Sequence, residues 1–300
     1  MLIGTKRLDE EKVAVLIADI RRKKELTELS EEFVREHVLE FLEQEHKAAS
    51  MLLQQFNPRS AVYKKLIKDV RARLRRVYGL FRLEEELKKR RQLVDKLVTT
   101  GSKPESKDRK ELLDQILATH SSTRERISFY DQLYTKIFSI TGKPTSIIDL
   151  GCGINPFSFP YLKLKKAAYY AYDISNEEIE SLNEYFHLLH TENKLFTGTA
   201  HVLNILQWLK LRKLPLADVC FLFKMTDVLD RGKGHKASEA VITGVPARYV
   251  VVSFPTLTMS GKRMNAPRRK WIELMCKRLG YLFTILTFSN EIFYVIEKKT

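Results

Sequence analysis

Hydrophobic positions follow two different periods along this chain, and the change falls near its middle. In the first third, Val13, Leu16, Ile17 and Ile20 recur at helical spacing, and Val34, Val38, Phe41 and Leu42 repeat the pattern behind Ser30, a residue suited to an N-cap. A third helix is predicted after Asn57-Pro58, with Val62, Leu66, Val70, Leu74 and Val77 along one face. From Ser146 onward, short apolar runs alternate with helix-like stretches. After the run that starts at Ser146, strands are expected at Ala168 to Asp173, Leu195 to Thr199, Asp218 to Phe223 and Arg248 to Phe254. Such alternation predicts a parallel sheet wrapped by helices. The last two runs, Leu282 to Phe288 and Ile292 to Glu297, are separated only by Ser289-Asn290-Glu291, too short for a crossover helix, so one strand must run antiparallel. The expected fold class is α/β, a mostly parallel seven-stranded sheet preceded by an all-α N-terminal domain. Thr99 to Lys107, which contains Gly, Ser and Pro, is the expected hinge, dividing the chain into residues 1–105 and 106–300.

The first strand runs into a glycine turn. Ser146 to Gly153 reads Ser-Ile-Ile-Asp-Leu-Gly-Cys-Gly, and Asp173 closes the next apolar run about 20 residues further on. Gly151 and Gly153 let the backbone pass close to a ligand, and Asp173 falls where a ribose-binding carboxylate is wanted. The turn has Asn155-Pro156 in place of the third glycine of a dinucleotide fingerprint, so no pyrophosphate need be cradled at a helix N-terminus. That favours S-adenosylmethionine over NAD. A parallel sheet of five strands finished by a hairpin is also the Rossmann-like layout of class I methyltransferases, which agrees with that cofactor.

Charge adds a partner. A formal net charge of +15 over 300 residues fits a polyanionic ligand, and nucleic acid is the leading candidate. Lys64, Lys65, Lys68, Arg71, Arg75 and Arg76 spread over the third helix outside its apolar face, and Lys88, Lys89, Arg90 and Arg91 continue the theme. Cys152, Cys220 and Cys276 lie in a glycine turn, a strand and a helix without paired ligand spacing, which supports neither a disulfide framework nor a metal site. No apolar stretch approaches the roughly 20 residues that span a bilayer, so a cytoplasmic protein without a membrane partner is expected, and a monomer.

His120-Ser121-Ser122-Thr123-Arg124-Glu125-Arg126 is expected to open a helix just before the cofactor domain, with Ser122 and Glu125 at capping-box spacing. Together with Ile148-Asp149-Leu150-Gly151-Cys152-Gly153-Ile154-Asn155-Pro156, Phe221-Leu222-Phe223-Lys224, Val252-Ser253-Phe254-Pro255-Thr256 and Gly261-Lys262, this segment resembles the aminoglycoside-resistance 16S rRNA methyltransferases. The resemblance covers about Leu112 to Lys298. It implies a helical region that docks on the small ribosomal subunit, followed by a domain that methylates a base nitrogen of 16S ribosomal RNA. It also implies that Arg126 meets the methionine carboxylate, that Gly151 and Gly153 line the methionine portion, that Asp173 holds the ribose hydroxyls and that Asn204 reaches the adenine amine.

Two positions depart from the family pattern. A Gly-Met-Glu element follows the Gly-Lys loop in the resistance enzymes, whereas Arg263-Met264-Asn265 follows Lys262 here, so an amide stands at the carboxylate position. A carboxylate accepts from guanine's N–H edge and an amide both donates and accepts, which leaves guanine N7 and cytosine N4 open as targets. The second departure is Arg268-Arg269-Lys270, expected with Lys262 and Arg263 to strengthen phosphate binding. Ser253-Phe254-Pro255 are expected to offer carbonyl acceptors and an aromatic face to the base, Phe254 or Trp271 to stack it, and Lys224 to meet a backbone phosphate. The reading is thus of an S-adenosylmethionine-dependent methyltransferase of 16S ribosomal RNA, most simply a chromosomal housekeeping member. A tRNA or other RNA base methyltransferase and a non-catalytic ribosome-binding assembly factor are the alternatives.

Overall fold

The computed structural model describes the chain except residues 1, 4, 5, 8, 24, 25, 28, 55, 79–83, 101–105, 231–233, 259–261 and 300, and except the side chains of 2, 3, 6, 7, 44, 46–48, 51, 75–78, 84, 208 and 209. It forms two compact units, one of Met1–Glu84 with Ile174–Glu177 and one of Glu85–Asp173 with Glu178–Thr300.

The first unit holds a two-residue ribbon, β1 (Leu2–Ile3) and β2 (Lys6–Arg7), and four helices: α1 (Glu10–Arg21), α2 (Glu31–Gln44), α3 (His46–Gln54) and α4 (Ala61–Tyr78). Ser30 caps α2 as its sequence position suggests, its hydroxyl accepting from the Phe33 N–H at 3.2 Å. Val13, Leu16, Ile17, Ile20, Val34, Val38 and Leu42 are all buried in one cluster with α4. The buried face of α4 is centred on Tyr63, Leu66, Ile67, Val70 and Leu74, while Val62 is only half-buried. Lys64, Lys65 and Lys68 are exposed on the other side. Arg71 departs from the expected basic surface: its Nε donates to the Ile20 carbonyl at 3.1 Å and its Nη2 to that of Asp19, so the guanidinium caps α1 and does not face a ligand. The side chains of Arg75 and Arg76 lie outside the described ones.

The second unit begins earlier than the expected hinge, because α5 (Glu84–Thr99) buries Val94 and Leu97 in its core. The centre of the expected hinge, 101–105, lies outside the described residues. Then come α6 (Lys107–Leu117), α7 (Ser121–Arg124), α8 (Tyr130–Thr141), β3 (Ser146–Leu150), α9 (Phe159–Leu162), β4 (Ala167–Asp173), α10 (Asn176–Glu192), β5 (Phe196–Val202), α11 (Trp208–Leu211), β6 (Ala217–Phe223), α12 (Thr226–Asp230), α13 (Lys236–Gly244), β7 (Ala247–Pro255), α14 (Lys270–Leu279), β8 (Leu282–Thr287) and β9 (Glu291–Glu297). The seven-stranded sheet has the order β5-β4-β3-β6-β7-β9-β8. The first five in that order pair in parallel, and β9 lies antiparallel to both β7 and β8. Alternate residues of the central strands serve two cores. Ile147, Tyr169, Phe221 and Val251 face the cluster that contains α5, α6, α8 and α10, while Ile148, Cys220, Leu222 and Val252 face that of α13 and α14. Strand order reverses between β3 and β6, so the crevice outside their carboxyl ends is where a ligand of such a sheet binds.

Within this unit, one cation of the expected basic surface turns inward and the next is paired at the surface. Arg90 is buried, its Nη1 2.6 Å from Glu178 and its Nε 2.8 Å from the Thr119 hydroxyl, and Arg91 donates to Glu184 at 2.9 Å. Replacing Arg90 by Ala removes the cation that faces the buried Glu178 carboxylate. The expected cost is about 3–5 kcal/mol in the unfolding of this unit, measured by urea titration, and a loss under 1 kcal/mol would refute the pairing.

Candidate active site at the carboxyl ends of the parallel strands

At the end of β3, Gly151 and Gly153 take φ of +62° and +48°, the left-handed region in which a side chain is strained. A Cβ on Gly153 would meet nothing within 4 Å, leaving open ground beside the crevice, whereas one on Gly151 would strike Met225 at 2.6 Å. The Asp173 carboxylate, at the end of the neighbouring β4, accepts the Gly153 N–H at 2.9 Å and so fixes both turn and acid at the mouth of the crevice. Asn204, two residues past β5, is buried with its Oδ1 accepting from the Leu206 N–H at 3.1 Å. These residues stand at the carboxyl ends of β3, β4 and β5, which are neighbours in the sheet.

A polar chain lies behind the turn. Asp149 Oδ2 accepts from Asn155 Nδ2 at 2.9 Å and from the Tyr169 hydroxyl at 2.8 Å, and the Tyr130 hydroxyl donates to Asn155 Oδ1 at 2.9 Å. Asn155-Pro156 therefore does more than replace a glycine: its amide couples the strand acid to α8. Burial pushes the Asp149 carboxyl up to about 6, against the two hydrogen bonds that favour its charge.

Arg126 sits between α7 and α8. The expected capping box does not form: no side chain caps α7, Ser122 Oγ lies 2.9 Å from His120 Nδ1, and Glu125 turns to Lys224. The Arg126 guanidinium is 1% exposed, lies 4.8 Å from the Phe223 ring centroid and grips Glu291 with two parallel bonds of 2.9 and 2.8 Å. Burial opposes its charge, but the Glu291 carboxylate holds its pKa above the ordinary arginine value. Where the family resemblance pairs Arg126 with a methionine carboxylate, this structure already pairs it with the first residue of β9. Lys224, just past β6, takes φ +55°, and its N–H donates to the hydroxyl and the carbonyl of Ser253 at 3.0 and 3.2 Å. Its ammonium bonds Glu125 and lies 3.6 Å from Glu291. Lys224 is thus held between two carboxylates, not extended toward a phosphate. The sequence pointed to Glu125 only as half of a capping box and to Glu291 only as part of the hairpin gap; neither was expected at the site.

The end of β7 departs further from expectation. Phe254 is 1% exposed, packed edge-on against Trp271 and Tyr294, so it offers no open face to a base. The carbonyls expected to hold a substrate amine already serve protein donors, Ser253 that of Lys224 and Pro255 that of Arg269 at 3.2 Å. Beyond them Thr256 and Met264 strap a small hairpin, with the Met264 N–H donating to the Thr256 carbonyl at 2.8 Å and Leu257 bridging Arg263. Lys262, Arg263 and Asn265 are exposed there, while Gly261 lies outside the described residues. Arg268 instead chelates Glu273 at 2.9 and 2.8 Å. Arg269 donates to the carbonyls of Ala266 and Pro267 at 3.3 and 2.9 Å, so it bolts the loop to β7 and is not a phosphate ligand.

Sheet order and glycine turn define a class I, S-adenosylmethionine-dependent methyltransferase, and the comparisons narrow the class. The ribosomal RNA methyltransferase (FmrO) family matches residues 55–295, and the chain belongs to that family. A Proteus mirabilis 16S rRNA (guanine(1405)-N(7))-methyltransferase is 27% identical over 246 residues, 78% of this chain and 85% of that one. The enzyme of the same name from Micromonospora rosea is 30% identical over 188 residues, and the match spans 64% of its length and 61% of this chain. The fold is shared with the 16S rRNA methyltransferase RmtF, solved with S-adenosyl-L-homocysteine, at a TM-score of 0.72 and 22% identity over 98% of this chain and 100% of that one. The 16S rRNA methylase ArmA superposes at 0.52 with 25% identity over 70% of this chain and 98% of its own. Among the described residues no helix is long and apolar enough to cross a membrane, and no group of three His, Cys, Asp or Glu could hold a metal ion.

Two outcomes test this geometry. Asp173→Ala removes a charged acceptor from the crevice and is expected to weaken S-adenosylmethionine binding by about 10- to 100-fold in calorimetry; an unchanged isotherm would refute the role. Asp149 binds its proton more tightly folded than unfolded, so its contribution to stability is full below its unfolded pKa, near 4, and is lost as pH rises to about 6. Across that window Asp149→Asn should remove a pH dependence on the order of 3 kcal/mol, read from denaturation midpoints; parallel curves for the two proteins would contradict it.

Proposed function

We propose that this protein methylates N7 of a guanine in 16S ribosomal RNA within the small subunit, the position named for its relatives. The observation that carries the reading is the family match across both the crevice and the Lys224 and Arg126 cluster. S-adenosylmethionine, when bound, supplies an electrophilic methyl group. Gly151 and Gly153 would lie along its methionine portion, Asp173 at its ribose and Asn204 near its adenine. Arg126 would meet the methionine carboxylate beside Glu291, which already holds two of its guanidinium nitrogens.

The chemistry at N7 fits what the other residues do. The N7 lone pair lies in the plane of the purine, so the base needs positioning and no general base, and no proton leaves. An exocyclic amine makes the opposite demand, since its lone pair is recovered only when its N–H groups find acceptors. The Ser253 and Pro255 carbonyls already have donors, and both nearby carboxylates, Glu125 and Glu291, are paired with cations. That favours guanine N7 over cytosine N4, although Asn265 stands where the relatives carry a carboxylate. In this reading Lys224 acts through Ser253 and the carboxylates as a positioning residue. The helical unit, with Lys64, Lys65 and Lys68 outward, supplies the docking surface for the RNA backbone, and Lys262 and Arg263 contact phosphate beside the target.

The test is nucleoside mass spectrometry of small-subunit RNA after unmodified subunits are incubated with the protein and labelled S-adenosylmethionine. Labelled 7-methylguanosine is expected. Labelled 4-methylcytidine would transfer the reading to an amine target, and label in tRNA but not in subunits would reassign the substrate.

A further inference from the structure

An aromatic column rises at the carboxyl end of the sheet, and the chemistry described so far makes no use of it. Its base is Phe254, one residue from the end of β7. Trp271, in the first turn of α14, meets that ring edge-on with centroids 6.2 Å apart and planes at 85°. His235 then lies flat on Trp271, centroids 4.3 Å apart and planes within 8° of parallel. The imidazole is held in that plane from the side. Its Nδ1 is 3.0 Å from Asp230 Oδ2, and the Asp230 carboxylate is fixed in turn by the N–H and hydroxyl of Ser238, at 3.0 and 2.8 Å. The Asp230 side chain is 7% exposed and the imidazole 49%.

We infer that His235, backed by Trp271, is a stacking platform for an unstacked base of the substrate RNA. The inference rests on the RNA methyltransferase reading and adds to it a recognition residue. Position comes first: His235 lies on the connection that leaves the carboxyl end of β6, and Trp271 on the one that leaves β7, so the column shares its end of the sheet with the crevice and with the hairpin carrying Lys262 and Arg263. Construction comes second. A half-exposed ring held parallel to an indole by a buried, doubly fixed carboxylate is ordered before any ligand arrives, and such pre-ordering lowers the entropy lost on binding. Surroundings come third: Lys236 follows His235 and Lys270 precedes Trp271, both exposed, so each ring residue has as its chain neighbour a cation of the kind that meets a nucleotide's phosphates. RNA enzymes that draw a base out of its stack leave unstacked bases behind, and histidine and tryptophan faces are among the surfaces that receive them. Of Phe254 and Trp271, the two residues the sequence pointed to for this task, Phe254 cannot do it because it is buried at the foot of the column, while Trp271 backs the histidine.

The platform predicts a split between two substitutions in the full-length protein, assayed on unmodified small subunits. His235→Ala should raise KM for subunits about tenfold, the scale of one base-aromatic stack, with the S-adenosylmethionine isotherm unchanged. His235→Phe, which keeps the flat ring and loses the bond to Asp230, should stay within about threefold of wild type. Ultraviolet cross-linking followed by mass spectrometry should place a nucleotide on the peptide containing His235 or Trp271. Wild-type KM in His235→Ala, a Phe variant as weak as the Ala variant, or a cross-link that avoids both peptides would each overturn the platform while leaving the methyltransferase reading intact. If the wild-type protein transfers no methyl group to subunits, both fall together.

Discussion

The buried pair of Arg126 and Glu291 is the contact on which the site depends. Its partners are separated by 165 residues and almost wholly withdrawn from water, so neither charge is tolerable without the other. The pair fixes the segment between α7 and α8 against the sheet, and through Glu291 it sets where the Lys224 ammonium rests. It exists because β9 runs antiparallel. In a parallel strand the first residue would lie at the amino end of the sheet, far from the crevice; in the antiparallel β9, Glu291 pairs in register with Pro255 at the carboxyl end of β7. The hairpin that closes the sheet is therefore also what delivers a carboxylate to the site.

The strands and the glycine turn were legible because their signals are local. A β-branched run ending in Gly-x-Gly, an acid at the end of the next strand and a three-residue hairpin gap each follow from steric or hydrogen-bonding rules that act within a few residues, and the observed sheet follows them to within one or two residues at most strand ends. The capping box at Ser122 and Glu125 was equally local in appearance, yet it lost to a long-range contact, since a carboxylate beside a half-buried ammonium gains more than one at an exposed helix start. The same competition explains the basic residues. Arg71, Arg90, Arg268 and Arg269 look alike in sequence to cations facing a ligand, but their long stems let the guanidinium reach carbonyls or carboxylates that only the fold brings near. Lysines 64, 65 and 68 lie on the far side of α4 from its core and remain at the surface.

This sorting changes what the net charge of +15 means. Part of the arginine content works inside the protein as bidentate clamps, and lysine makes up much of the outward excess. That division lets the protein hold a neutral, well-ordered cluster at the crevice and still present a cationic surface to a polyanion. Lysine attracts phosphate as a point charge without demanding a fixed geometry, whereas arginine's planar fork is best used where two acceptors are already in place.

Charge balance at the crevice completes the argument. Arg126 and Lys224 are matched by Glu125 and Glu291, so the cluster carries no net charge before a base arrives. In the proposed methylation at N7 the positive charge passes from the sulfonium to the purine; surplus cations beside the base would oppose that charge, and surplus carboxylates would bind the product too well to release it. A compensated cluster does neither. It offers oriented dipoles at fixed positions, which is the contribution that a positioning enzyme can make without taking or giving a proton.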